Sequence, residues 1–217
     1  MHCNHLSRLA SRIHAALDTC RWERRGVAAI EFALIVPILS AMFIGAVELS
    51  QAITVDRRVT QVASSTADLV AWAEKQISQA EIGDIMKVGG YILEPYSQGP
   101  LQITLRNVTS SPANATTTNQ SWSCTYKGLD KTQTCDCSNT IKSIPPNLLT
   151  TNDSVVVAEV TYGHKPLIFD YFMKRSAQGA TAGTGVYALN ETIYLKPRSQ
   201  AAMLLQANNT PCPMPAF

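Results

Sequence analysis

Charge is scarce in this 217-residue chain: only 16% of its residues are Asp, Glu, Lys or Arg, against a usual quarter. With 46% apolar residues, this composition excludes an intrinsically disordered chain, which needs low hydrophobicity and high net charge. An excess of one sign is missing too. Eighteen basic against 16 acidic residues leave a net charge of +2, too little for an electrostatic nucleic-acid binder, so no nucleic-acid partner is expected. Catalytic signatures are also absent. No G-x-S-x-G elbow or H-E-x-x-H helix occurs, and His164, the single histidine outside the first 26 residues, reads as a loop residue beside Lys165 and Pro166. Nothing in these patterns asks for an enzyme, a cofactor or a metal.

What charge there is lies unevenly. Residues 1–26 carry Arg8, Arg12, Arg21, Arg24 and Arg25 against Asp18 and Glu23, a basic leader on a nearly neutral body. Directly behind it, residues 27–47 read VAAIEFALIVPILSAMFIGAV, with Glu31 as the one charged residue. As a helix this run spans roughly 32 Å, enough to cross the hydrocarbon core of a bilayer. A buried core helix rarely runs so long without a polar face. Five leader arginines outweigh Arg57 and Arg58 beyond the run, so the positive-inside bias keeps the leader cytoplasmic and translocates the rest. A removable secretory signal is the competing reading, with Ser50-Gln51-Ala52 as a passable cleavage site. The apolar run is longer than a typical signal core. A mitochondrial transit peptide fits less well, given the spanning segment that follows.

Past the run a helical pattern continues. Val55, Val59, Val62, Thr66, Leu69 and Ala73 recur at spacings of four and three, which predicts one helix from Val27 to about Gln76 with a face packed on its own domain. Pro37 is expected to kink or loosen it. Ser78-Gln79-Ala80-Glu81 fits a capping box, predicting a second helix over about 78–93 that ends at Gly89-Gly90 or Pro95. The period then changes to two. Leu101 to Arg106, Trp122 to Tyr126, Val156 to Tyr162 and Thr192 to Lys196 read as four strands, with Pro197 at an edge or strand end. Residues 107–121 and 176–185 read as polar or small-residue loops. The six N-x-S/T sequons at Asn107, Asn114, Asn119, Asn152, Asn190 and Asn208 mark exposed loops, and would matter only in a eukaryotic secretory pathway.

Helices before strands predict an α+β protein: a long N-terminal transmembrane helix continues into a pilin-like domain with a second helix and a four-stranded antiparallel sheet. The corresponding organisation is a basic cytoplasmic leader at 1–26, a transmembrane helix at 27–53, a helical region at 54–95 and a β-rich region at 96–217.

Cys3 and Cys20 lie in the leader, where the cytoplasm keeps thiols reduced. Cys124, Cys135, Cys137 and Cys212 lie on the translocated side, and four cysteines allow three pairings. One intervening residue sets Cys135 and Cys137 poorly for a mutual bond. Two choices stay open, each tying one of them to Cys124 and the other to Cys212. A zinc site of four thiolates is the alternative, but the spacing lacks paired C-x2-C knuckles.

The junction Arg24-Arg25-Gly26-Val27-Ala28-Ala29-Ile30-Glu31-Phe32 resembles the processing site of type IV prepilins. In that family a membrane peptidase cuts after the glycine, which places the processing site at Gly26 and Val27 and makes Glu31 and Phe32 the fifth and sixth mature residues. An ionisable group inside a membrane span is a functional hypothesis by default, and the freed ammonium of a neighbouring subunit's Val27 would suit Glu31 as a partner. With Pro37 and Glu48-Leu49, and with the later segments Asp56-Arg57-Arg58-Val59-Thr60, Ala67-Asp68-Leu69-Val70, Ile92-Leu93-Glu94-Pro95-Tyr96, Val157-Ala158-Glu159-Val160-Thr161-Tyr162 and Tyr194-Leu195-Lys196-Pro197-Arg198, the chain resembles the TadE/TadG-like family of the Tad (Flp) pilus system. The resemblance implies a minor pilin or pseudopilin of the bacterial inner membrane, with its C-terminal domain in the periplasm. It would be cleaved by a prepilin peptidase and would assist assembly of an adhesive pilus with other pilins and pseudopilins. The D-x-S-x-S metal motif of the larger TadG relatives is absent, which favours a TadE- or TadF-like role. The functional alternatives are a signal-anchored periplasmic enzyme or ligand-binding module and a eukaryotic single-pass glycoprotein.

Overall fold

The computed structural model describes residues 25–73, 76–166, 186–198, 203–207 and 210–213. The leader with Cys3, Cys20 and its first four arginines, the 176–185 loop and Asn208 lie outside the described residues. The chain divides into two compact units, Met1–Val47 and Glu48–Phe217, with the boundary inside the first helix.

That helix, α1, runs Arg25–Ala71 over 47 residues and passes through Pro37 without a break. It stops five residues before the predicted end. The Arg198 N–H caps the Ala71 carbonyl at 3.0 Å, and Gln76–Ser78 instead form a short strand, β1. The apolar stripe is also corrected at its far end. Val55, Val59, Val62 and Thr66 are buried, but Leu69 is exposed and Val70 takes its place in the core. A straight helix drifts about 20° per heptad against a 3.5-residue repeat, so after two heptads the buried position moves on by one. Thr66 tolerates burial because its hydroxyl donates to the Val62 carbonyl at 2.8 Å.

The second helix, α2, spans Gln79–Ile92. The capping box is present: the Glu81 N–H donates to Ser78 Oγ at 3.2 Å, and the Ser78 N–H donates to Glu81 Oε2 at 2.8 Å. Gly89-Gly90 does not end the helix. A Cβ on Gly89 would lie 2.9 Å from Ile103 Cδ1 and 3.2 Å from Val62 Cγ1, so this glycine is there for close approach to α1 and the sheet. Arg58 fastens the end of α2 to α1: its Nη1 donates to the carbonyls of Ile92, at 2.8 Å, and Glu94, and its guanidinium lies 5.8 Å from the Tyr96 ring.

The main sheet has six strands rather than four. They are β2 (Leu101–Ser110), β3 (Thr118–Lys127), β4 (Thr132–Asp136), β5 (Thr140–Ile141), β6 (Ser154–His164) and β7 (Tyr187–Leu195). All pair antiparallel in the order β4-β3-β2-β6-β7, with β5 also on β3. The two additional strands, β4 and β5, are short and polar, without the apolar alternation that marks a strand. β8 (Leu204–Ala207) pairs parallel with β1 and antiparallel with β9 (Thr210–Pro211) in a separate three-stranded sheet.

The supposed loop 107–121 is mostly strand, with its turn confined to residues 111–117. Its polar side chains are buried because they are satisfied. Asn107 Nδ2 donates to Ser121 Oγ at 2.9 Å and to the Met203 carbonyl at 3.2 Å, and Ser110 Oγ donates to the Thr150 carbonyl at 2.5 Å. Asn107 is fully buried, so that sequon marks no exposed loop. His164 likewise ends β6 opposite Tyr187 rather than lying in a loop. Burial pushes its imidazole pKa below the usual value, against the opposing pull of Glu48.

The main core joins the 55–70 stretch of α1 and Ile82 and Met86 of α2 to one face of the sheet, including Ile103, Leu105, Trp122, Val156, Ala158 and Val160. A smaller cluster of Val108, Leu149, Val155 and Val157 covers the other face. Burial on both faces explains why β6 reads as a continuous valine run rather than a clean alternation.

Candidate functional site: an exposed apolar helix with one carboxylate

Residues 26–47 of α1 have the opposite character to a core helix. Val27, Ile30, Phe32, Leu34, Ile38, Leu39, Met42 and Phe43 are each more than half exposed, with Phe32 at 69% and Phe43 at 72%. The most apolar 18-residue window of α1 has a mean hydropathy of 2.4 and no buried share, which makes it a candidate membrane span. In water such a surface is unfavourable by roughly 25 cal/mol for every Å².

Gly26 sits in the first turn of α1, and a Cβ added there would meet nothing within 4 Å. Val27 follows it, 54% exposed. Glu31 stands one turn further on the same face, about 6 Å along the axis from Val27. It is exposed and has no partner among the described residues. Gly26, Val27, Glu31 and Phe32 therefore share two successive turns of one helix, with a single carboxylate in an apolar surface.

The four predicted cysteines all lie in the 48–217 unit. Cys124 and Cys135 stand opposite each other in the β3–β4 register and are bonded, with Cα atoms 4.1 Å apart. Cys137 bonds Cys212 across 75 residues, with Cα atoms 5.3 Å apart. This is one of the two pairings left open by the spacing. It overturns the zinc alternative, because all four sulfurs are in disulfides. The second bond anchors the C-terminal segment, whose Met203 carbonyl accepts from Trp122 Nε1 at 2.9 Å, with Leu205 buried beside it. No group of three or more metal-ligating side chains occurs among the described residues.

Reading the sequence missed the contacts of Arg58, Asn107 and Arg198. Arg198 stacks on Trp72 at 4.3 Å and pairs with Asp68 at 2.8 Å, across 130 residues. No local pattern signals such a contact.

A long apolar helix, bare over its first half and carrying one carboxylate near its start, ahead of an α+β unit, defines a helix-anchored protein of pilin-like design. The particular family is visible in the same helix: residues 26–68 match the model of the family described as TadE-like protein. That match covers nearly all of α1, exposed and buried parts alike, and agrees with the resemblance carried by Gly26, Glu31 and Phe32. No curated protein and no solved structure matches the chain.

Proposed function

We propose that the chain is a membrane-anchored minor pilin or pseudopilin that takes part in assembling a Tad (Flp) adhesive pilus. The observation that carries this reading is the bare apolar surface of residues 26–47, interrupted only by Glu31, inside the stretch that matches the TadE-like family. The leader stays in the cytoplasm, the helix crosses the inner membrane, and the 48–217 unit folds in the periplasm, where its two disulfides can form. A prepilin peptidase cuts between Gly26 and Val27. The peptidase and the other pilins and pseudopilins of the system are its partners, and its role is structural rather than catalytic.

Cleavage gives Val27 a free ammonium at a helix N-terminus, where the helix dipole disfavours positive charge. A carboxylate nearby relieves that. In a low-dielectric bundle the Glu31 carboxylate of an adjacent subunit neutralises the ammonium. An unmatched charge costs about 2.5–3.5 kcal/mol on insertion scales, so only correctly docked subunits are accepted.

Two measurements test the reading. N-terminal sequencing of the mature protein should begin at Val27; a start near Thr54 would mean an ordinary secretory signal. Glu31→Gln keeps shape and polarity but removes the charge, so it should reach the membrane at normal levels and abolish piliation. Normal pili in a strain carrying only this variant would remove the carboxylate from the assembly contact.

A further inference from the structure

Two exposed patches of the 48–217 unit differ in chemistry and complement each other. The first is a groove of about 570 Å³ between the last turn of α1 and the first turns of α2. Leu69 and Trp72 line it while 44% and 61% exposed, Ile85 lies beside them, and Glu81 and Asp84 supply carboxylates. The indole of Trp72 is held from one side by the guanidinium of Arg198. Hydrogen bonds from the Ser78 backbone and hydroxyl hold the Glu81 carboxyl below the usual range, and both reach Oε2. Oε1 has no partner among the described residues. Asp84 pairs with Lys87 in an exposed contact of the kind that contributes little.

The second patch is the β3–β4 hairpin tip, Lys127-Gly128-Leu129-Asp130-Lys131. Leu129 is 76% exposed, and the lysines on either side of it are exposed as well. The tip is firmly placed: the Gly128 N–H donates to the Leu101 carbonyl at 2.8 Å, and a Cβ there would collide with the Gln98 carbonyl oxygen. A large apolar side chain on a fixed turn between two ammonium groups is costly to leave in water.

The patches lie at different ends of the unit. Gly89 packs against Val62 and Thr66, and the end of α2 is held by Arg58, so α2 runs antiparallel to α1. The start of α2, with the groove, is therefore beside Leu69 and Trp72. The hairpin tip packs on the 98–101 segment beyond the other end of α2, with Leu129 Cδ1 3.8 Å from where a Gly99 Cβ would stand. Arg58 and Trp72 are roughly 21 Å apart along α1. One molecule cannot bring its own tip to its own groove.

We propose that the Lys127–Lys131 hairpin tip of one copy docks into the Leu69, Trp72, Glu81 and Asp84 groove of a second copy of this chain. Leu129 covers the apolar floor, while Lys127 and Lys131 face Glu81 and Asp84. Two lysines against Asp130 leave the tip positive, and two carboxylates against Lys87 leave the groove negative. A symmetric groove-to-groove contact would set carboxylate against carboxylate. Because the two patches differ, the contact is heterologous and leaves one of each free, so it repeats into an open-ended row rather than closing as a dimer. It goes beyond the membrane-helix reading and does not depend on Glu31.

The test uses the full-length protein in its native membrane. Asp84→Cys and Lys131→Cys are placed on separately tagged copies, which are co-expressed, oxidised mildly and run on non-reducing gels. A mixed disulfide linking position 84 of one copy to position 131 of the other is expected, and a ladder of multimers when one chain carries both substitutions. Asp84→Lys alone should abolish co-purification of differently tagged copies, and adding Lys131→Glu to the same chain should restore it. Both positions are exposed, and peptide mapping of the two native disulfides verifies that each variant is folded. Only symmetric products, no product, coupling through position 84 to a different protein, or failure of the double charge swap would each overturn the proposal. Piliation is not the readout, so this result is separable from the fate of the Glu31 reading.

Discussion

The two parts of α1 show how one helix can follow opposite rules. Before Val47 its large apolar side chains point outward: Phe32, Leu34, Met42 and Phe43 are all more than two-thirds exposed. After Glu48 the apolar face turns inward: Val55, Val59, Val62, Ala63, Ala67 and Val70 are at most 1% exposed, and the outer face carries Asp56, Arg57, Thr60, Gln61 and Ser64. The first part is apolar all round, as a membrane span is, and the second is amphipathic, as a helix on a sheet is. Stability of the body therefore resides in contacts made by the second part and the sheet, and the first part has a surface left over for lipid or other helices.

The sharpest break in that comparison comes from two aromatic truncations, followed by near-ultraviolet circular dichroism of the full-length protein in detergent. Trp122→Ala removes a fully buried ring and its hydrogen bond to the Met203 carbonyl, and should destabilise the body by about 3–5 kcal/mol. Phe43→Ala, truncating a 72%-exposed ring, should move the same transition by less than about 0.5 kcal/mol. Equal effects would mean that the two parts are not energetically separate.

The disulfides grade the body itself. In the chain-entropy description, a bond closing 75 residues restricts the unfolded chain more than one closing 11. Replacing Cys137 and Cys212 with Ser should therefore cost about 4–5 kcal/mol, against about 3 kcal/mol for Cys124 and Cys135. Midpoints in urea for the two double variants measure this order, and a reversed order would place the greater stabilisation in the cross-strand bond.

The smallest effect is pH-dependent. Burial raises the Asp153 carboxyl pKa, but hydrogen bonds from Lys196, Thr150 and Ser154 outweigh it, so the folded-state value lies below the ordinary one. The stability it contributes is present above the unfolded pKa and is lost as pH falls through the folded pKa. Asp153→Asn should cost about 1 kcal/mol at pH 7, with the gap closing as the medium is acidified below about pH 4. Thermal melts at both pH values check this, and no change in anchor behaviour is expected.

Much of the architecture was legible because it is written locally. The run of residues 27–47 is long, apolar and uncharged except for Glu31. Ser78 and Glu81 make their capping box within one turn, and the alternation of Leu101, Ile103 and Leu105 shows a strand face directly. Four of the six main strands were visible for that reason. β4 and β5 were not, because TQTCD and Thr140-Ile141 become strands only through their partner β3. The polar 107–121 stretch misled in the same way: the partners that make Asn107 acceptable in the interior are Ser121 and the Met203 carbonyl, 14 and 96 residues away.

The sequence by itself determined the apolar helix, its lone carboxylate at position 31, the capping box, the main strand faces and a choice of two disulfide pairings. These depend on composition and on periods of 3.6 or 2, which act over a few residues. Only the tertiary structure decided that Cys124 bonds Cys135 and Cys137 bonds Cys212, that α2 continues through Gly89-Gly90, that Val70 replaces Leu69 in the core, and that Trp72 and Leu129 remain exposed at opposite ends of the body. Each of those depends on which distant groups are brought within a few ångströms, and chain spacing alone does not carry that distance.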